Sequence, residues 1–416
     1  MLRSLFAAIS GIRGQQAKLD TIGNNIANAS TTGFKASRVR FQDMLSQTLR
    51  VASGPTNGRS GTNPSQVGLG MSVAGIDTLH TQGSLQATGR LTDLAVQGSG
   101  FFAMSDGQRT LFTRDGAFSI SMNNELVNAS TGMKVMGWSA DATGAVNSQG
   151  AIAPLSIPLG AQVLTQATTR VDFTGNLSSE AVGATTHSTT ATIYDSKGAP
   201  LDIQITFTRT AGANTWDYTV AWPTGFTAPA GMVIGGLPTG TATFDTFGRF
   251  VPPVPPLGAV TVTVPQAEDM SFSLDFSALS MVAGPSTALV RSQDGLFPGE
   301  LATFSIGRDG VITGTFTNGA VRDLGQIAIA HFASPEGLMK TGSNLYEASS
   351  SSGEAIIGGA GIDGRGTVET GTLEMSNVDL ASEFTEMITT SRAFQANSRV
   401  VTTSDEMLQE LIQLKR

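Results

Sequence analysis

Apolar residues return at every seventh position at both ends of the chain and nowhere between. At the start Leu5, Ile12, Leu19 and Ile26 form one row, with Leu2 and Ile9 offset from it by three and four residues. At the end Leu380, Met387, Phe394, Val401 and Leu408 repeat that spacing. Such a repeat marks the seam of a helix that packs lengthwise on another. It predicts a first helix over about Leu2 to Asn28 and a closing helix over about Leu380 to Leu414, both free of proline. The companion rows are weaker: Leu2, Ile9, Gln16 and Gly23 in the first, Phe384, Ser391, Ser398, Asp405 and Ile412 in the second. With every second seam position polar, an isolated pair is marginal against a backbone ordering cost of about 1 to 2 kcal/mol per residue. Spare apolar residues lie on other faces, Phe6 and Ile22 on one helix, Ile388, Val400, Met407 and Leu411 on the other. They point to neighbouring chains, and to termini that are largely disordered in the monomer and become helical on polymerisation.

Asn24, Asn25 and Asn28 crowd the end of the first helix, where amide side chains satisfy free backbone groups. Gly33 supplies a turn and Phe34 an anchor behind it. Phe41, Met44, Leu45 and Leu49 fall at helical spacing, which predicts a short second helix. Ser53 to Gly70 is a long connector dense in Gly, Pro and Asn.

From Met71 the period shortens to two. Strands are predicted at Leu85 to Met104, Met133 to Trp138 and Ile152 to Ile157, with Phe112 to Phe118 a hairpin turning at Asp115-Gly116. Further strands run from Thr189 to Phe276, and Val251 to Pro256 is a proline-rich surface link. Arg308-Asp309-Gly310 repeats Arg114-Asp115-Gly116, as if the first β pattern resumes after an insertion. Ser376 with Asp379 fits a capping box at the start of the closing helix, and Lys415 and Arg416 suit its end.

The expected fold class is therefore α+β and multidomain: paired terminal α-helices, coiled-coil-like, plus nested all-β domains. Residues 1–28 and 380–416 would form the helical domain, 29–70 and 350–379 a linker region, 71–165 and 292–349 an inner β domain, and 166–291 an inserted outer β domain.

Composition sharpens this picture at few points. Of 416 residues only 14% are charged, and 49 are glycine. A surface poor in Lys and Glu packs readily against other protein. Net charge is -8, yet residues 1–50 hold seven Lys or Arg against two Asp. Those charges are dispersed and lack an aromatic platform, so they read as a solvated or inter-subunit helix face rather than a nucleic-acid or lipid arm. The chain has no cysteine, which removes disulfides and thiolate metal sites. Gly11 and Arg13 cut the opening apolar run too early for a signal peptide.

Catalytic signals are weak. His80, His187 and His331 stand singly, without metal-ligand spacing. Gly359-Ala-Gly361-Ile-Asp-Gly364 matches G-x-G-x-x-G in form, but no helix follows to hold a pyrophosphate. Neither an enzyme nor a cofactor is expected; a polysaccharide hydrolase with paired carboxylates is the enzymatic rival.

Longer motifs carry more. Leu19-Asp20-x-Ile22-Gly23-Asn24-Asn25-Ile26-Ala27-Asn28, followed by Thr32-Gly33-Phe34-Lys35, resembles the N-terminal signature of the bacterial flagellar axial family of rod and hook proteins. Gly61 to Gly70, Asp93 to Phe102, Gly337-Leu-x-x-x-Gly342-x-Asn344 and Ser376-Asn377-Val378-Asp379-Leu380 resemble its hook members in particular. The likeness spans about 1–165 and 290–416. It implies a homopolymer, a helical tube that serves as a flexible universal joint carrying torque from rod to filament. The terminal helices, through Leu5, Ile9, Ile12, Leu19, Ile26, Leu380, Phe384, Met387, Phe394, Val401 and Leu408, would line the inner tube. The resemblance further implies rod, hook–filament junction and hook cap proteins as partners, and passage through the flagellar type III export apparatus without a cleaved signal peptide. It implies no nucleic acid and no small-molecule substrate. Some hook proteins crosslink through cysteine; this chain cannot. A distal rod protein or a secreted β-rich adhesin are the other readings of the same pattern.

Overall fold

In the computed structural model the described residues are 2–55, 58, 60–141, 144–160, 163–210, 214–236, 238–253, 258–265 and 267–413, without the side chains at 2, 163 and 411. Expectations for the side chains of Leu2 and Leu411, and those that fall on Leu414, Lys415, Arg416 and the Val254 to Pro256 part of the proline run, lie outside them. The architecture is α+β, with long helices at both termini and β structure between. The chain divides into two compact units, Met1–Ile157 with Ser305–Thr313 and Asp323–Arg416, and Pro158–Phe304 with Gly314–Arg322.

The first unit contains α1 (Leu2–Ala27) and α2 (Leu380–Gln413). Asp379 caps α2: its Oδ1 accepts from the backbone of Ala381 at 2.9 Å and of Ser382 at 3.4 Å. Ser376, expected as the cap, instead accepts from Val378 ahead of the helix. Ser376 and Asp379 both carry an oxygen that can cap, three residues apart, so sequence alone leaves the cap ambiguous by one turn.

Behind α1 lies an antiparallel ribbon of Ser37–Asp43 with Met71–Thr78. Thus Phe41 is in a strand, Leu49 is in another (Ser46–Arg50), and the short helix predicted from Phe41, Met44, Leu45 and Leu49 does not form. Val39 is buried between exposed Arg38 and Arg40, an alternation that suits a strand. A partner strand satisfies the backbone here, where a helix this short is costly to nucleate. Part of the long connector is likewise built as strand, Ser65–Gly68 pairing with Ser46–Arg50.

The β core of this unit gathers Phe101, Phe112, Trp138, Phe332 and Tyr346. Phe112 meets Phe332 edge to face at 4.9 Å, a geometry that adds to simple burial. Strand Phe101–Ser105 pairs with Thr110–Thr113 and with Ile329–His331, so residues far apart in sequence share one sheet. The segments before α2 close the unit: Thr367–Thr370 pairs with Leu94–Gln97, and Thr372–Glu374 with Leu85–Ala87.

The predicted Asp115-Gly116 hairpin is absent. Thr110–Thr113 pairs elsewhere, and Phe118–Ile120 pairs with Leu126–Asn128. The Asp-Gly step is a corner instead. Leu94 N donates to Gly116 O at 3.0 Å, and a side chain at 116 would collide with the Leu94 carbonyl. The second Arg-Asp-Gly does turn a hairpin, with Gly307 N donating to Val311 O at 2.8 Å and Gly310 at φ 77°.

The second unit is a β-sandwich. Two five-stranded sheets share a core of Phe173, Phe207, Trp216, Tyr218, Phe272 and Phe276, all essentially inaccessible to water. Its strands show the inward–outward alternation predicted, as in Met270–Ser280. The ends of this sandwich meet: Thr168 Oγ1 donates to Gln293 Oε1 at 3.3 Å and Thr169 N to Asp294 Oδ1 at 2.8 Å.

Candidate assembly surface on the terminal helices

The two helices run antiparallel. Asn25 Nδ2 donates to Glu383 Oε1 at 3.0 Å, Lys18 Nζ lies 2.9 Å from Glu386 Oε2, and Gly11 faces Asn397. The fully buried line of α1 is Ala8, Gly11, Ile22 and Asn25, with half-buried Gln15 and Lys18 completing its heptad. Leu5, Ile9, Ile12, Leu19 and Ile26 are half-buried along its flank. Side chains lean toward the helix start and the phase drifts about 20° per heptad, so the closest approach need not fall on the largest residues. Here it falls on the smallest. A Cβ at Gly11 would sit 2.7 Å from Asn397 Nδ2.

On α2, Met387, Phe394, Val401 and Leu408 are half-buried and alternate with Glu383, Thr390, Asn397 and Ser404. That polar row replaces the companion row expected to start at Phe384. Leu380 and Phe384 are 44% and 49% exposed and stand outside the seam of the single chain. The reason is local: Glu383 turns inward to Asn25, which carries its neighbour Phe384 outward. Ile388, Val400, Met407 and Ile412 on α2 and Phe6 on α1 are also exposed.

The Asn and Gly-Phe signature is the junction between this helix pair and the β core. Asn28 Nδ2 closes the end of α1 by donating to Asn24 O at 2.9 Å. Asn25, 2% exposed, donates to Ser37 O at 2.9 Å and accepts from Ser37 N at 3.0 Å, pinning the returning chain. Gly33 has φ 67°, and a Cβ there would lie 2.6 Å from the backbone nitrogen of Asp115. No other residue type fits that approach without moving backbone. Phe34 is buried, with Lys340 Nζ 5.2 Å from its ring centre.

Behind Phe34 lies a buried charge cluster. Lys35 Nζ bonds Glu374 Oε1 at 2.6 Å and Thr81 O at 2.7 Å. Arg114 reaches Glu374 Oε2 at 3.3 Å and Gly98 O at 2.7 Å, while Gly83 N donates to Glu374 at 2.9 Å. Asn377 completes the joint: its Oδ1 accepts from Ala36 N, and its Nδ2 donates to Leu79 O, each at 2.8 Å. Burial pulls the Lys35 ammonium below its usual range, and Glu374 opposes that pull. One glutamate thus ties the end of α1, the β core and the approach to α2. Lys35, Arg114, Glu374 and Asn377 are not singled out by hydropathy, because charged and amide side chains are expected outside; the motifs Thr32 to Lys35 and Ser376 to Leu380 are the available signal for Lys35 and Asn377.

His80 packs beside this cluster, its ring 5.5 Å from Phe101 and 5.4 Å from Tyr346. Its ring nitrogens are buried without a hydrogen bond, the Pro335 carbonyl favouring the proton only slightly. Burial first, then Lys35, Arg114 and Lys340, lowers its pKa to about 4. Burial also raises the Tyr346 phenol.

Among the described residues no group of three or more His, Cys, Asp or Glu is placed to hold a metal. His187 is bonded to Ala288 O at 2.8 Å. The glycine run at 359–364 is a loop held by Arg365, whose Nε donates to Gly359 O at 2.8 Å.

Comparison with known proteins follows the same segments. The family described as "Flagella basal body rod protein" matches residues 5–35, and "Flagellar hook protein FlgE/F/G D1 domain" matches 95–178. "Flagellar basal body protein FlaE D2 domain" matches 159–296, and "Flagellar basal body rod FlgEFG protein C-terminal" matches 369–414. A flagellar hook protein of Treponema pallidum is 40% identical, with 100% of each chain covered. One of Borreliella burgdorferi is 38% identical, again over 100% of each chain. A flagellar basal-body rod protein of Bacillus subtilis is 32% identical over 100% of both. With hook proteins alike from end to end and hook domains matched in order, the chain belongs to the flagellar hook protein family.

Proposed function

We propose that this chain is the subunit of the flagellar hook and polymerises head to tail into a tube that bends while carrying torque. It is a structural protein of the hook and basal body. The carrying observation is the terminal pair itself: two long helices tied to the β core through buried Lys35, Glu374 and Arg114, with a row of apolar side chains on α2 left uncovered by their own chain. A contact between unlike surfaces that does not close gives a helical polymer. The paired helices form the inner wall, where Leu380 and Phe384 meet neighbouring subunits, and the sandwich of residues 166–291 forms an outer domain. Its weakly charged, glycine-rich composition suits outer contacts that slide at low cost as the tube bends. The rod and the hook–filament junction proteins adjoin the two ends of the polymer. A cap protein assists growth, and the subunit arrives through the type III export apparatus.

Electron microscopy of the polymerised full-length chain tests the reading. A short curved tube with a central channel is expected. Straight rods would assign the chain to the distal rod, and absence of any tube would refute assembly.

A further inference from the structure

One face of α1 is open. Arg3, Phe6 and Arg13 on the helix, with Met44, Met71 and Val73 opposite, border an apolar groove of about 580 Å³. Phe6 is 63% exposed at its edge. No lining residue is acidic, and among the described residues neither arginine is in an ion pair.

The complementary surface is the end of α2. The Asn25–Glu383 and Gly11–Asn397 contacts set a register in which α1 begins beside about residue 406, leaving about 10 Å of α2 beyond it. That overhang exposes Met407 and Ile412, at 51% and 69%. From just before that overhang onward, the described charges are all negative, Asp405, Glu406 and Glu410, and all are exposed. Among the described residues no cation pairs with them. The carboxylates at the start of α2 are already engaged, Asp379 as cap, Glu383 by Asn25 and Glu386 by Lys18. Charge and apolarity therefore single out the far end.

We infer that the groove along the start of α1 receives the overhanging end of α2 from a second copy of this chain. The inference rests on the hook reading and specifies one of its contacts. Met407 and Ile412 fill the groove while Glu406 and Glu410 face Arg3 and Arg13. The two surfaces are unlike, so the contact repeats from subunit to subunit without closing.

The test uses the full chain polymerised in solution, followed by sedimentation and microscopy. Reversing Arg3 and Arg13 to Glu, or Glu406 and Glu410 to Arg, is expected to raise the concentration needed for tubes by about tenfold or more, because like charges then face each other. Combining both reversals restores assembly toward the original value. Reversals without effect, or a combination that fails to recover, overturn the inference. A second measurement exploits the absence of cysteine. Tubes grown from mixed Phe6→Cys and Met407→Cys chains should yield disulfide-linked dimers on mild oxidation. Tubes without dimers assign the groove to another occupant. Failure of the unaltered chain to form tubes removes the hook reading itself, and the inference with it.

Discussion

Glu374 is the residue on which the junction turns. Its carboxylate is the one anion shared by two buried cations, Lys35 and Arg114. Removing one partner from such a site leaves charge buried without compensation, which costs about 3 to 5 kcal/mol. Glu374→Gln is therefore expected to lower unfolding free energy by that order in denaturant titration, far more than a surface substitution. His80 adds a pH dependence of definite sign. Its proton is disfavoured in the folded state, where the pKa is about 4 rather than 6.5, so the unfolded chain binds the extra proton between those values. Stability falls as pH drops from about 6.5 toward 4, then levels. Replacing His80 with Phe should flatten that part of the profile; an unchanged slope would assign it to the carboxylates.

At the scale of elements, the helix pair is closed by small and polar residues and leaves larger ones outside. Ile22, 2% exposed, anchors α1, whereas Phe384 on α2 is 49% exposed. Ile22→Ala should cost about 2 to 5 kcal/mol and lower the helical signal of the subunit. Phe384→Ser should change subunit stability by less than about 0.5 kcal/mol yet weaken polymerisation, since its apolar face has no partner within the chain. Circular dichroism of the subunit and sedimentation of the polymer separate the two effects. The heptads announced both helices within one residue or so of their ends. They did not announce which face closes, because periodicity records where apolar residues stand, not which small residues permit close approach.

For the whole molecule, the sandwich is separable by construction. Thr168 and Thr169 bond Gln293 and Asp294, so residues between those pairs can be excised with the cut ends already side by side. The core of Phe173, Phe207 and Phe276 leaves as one piece. We expect the shortened chain to form tubes whose bending stiffness is altered, measured from curvature in electron micrographs. Loss of all polymer would place assembly contacts in the sandwich.

What the sequence determined by itself was set by local period: two long terminal helices and strands of alternating burial such as Met270–Ser280. The Asn and Gly-Phe string also marked the junction, because a left-handed turn at Gly33 needs glycine wherever it occurs. Tertiary structure decided the rest. Phe41 and Leu49 became strand residues because Met71–Thr78 and Ser65–Gly68 lay ready to pair with their segments, and Asp115-Gly116 became a corner because Leu94 claimed its carbonyl. Lys35, Arg114 and Glu374 come from three distant stretches, and burial is tolerable for each only in the presence of the others. Pairwise electrostatics of that kind has no signature along the chain; it exists only once the fold has brought the charges together.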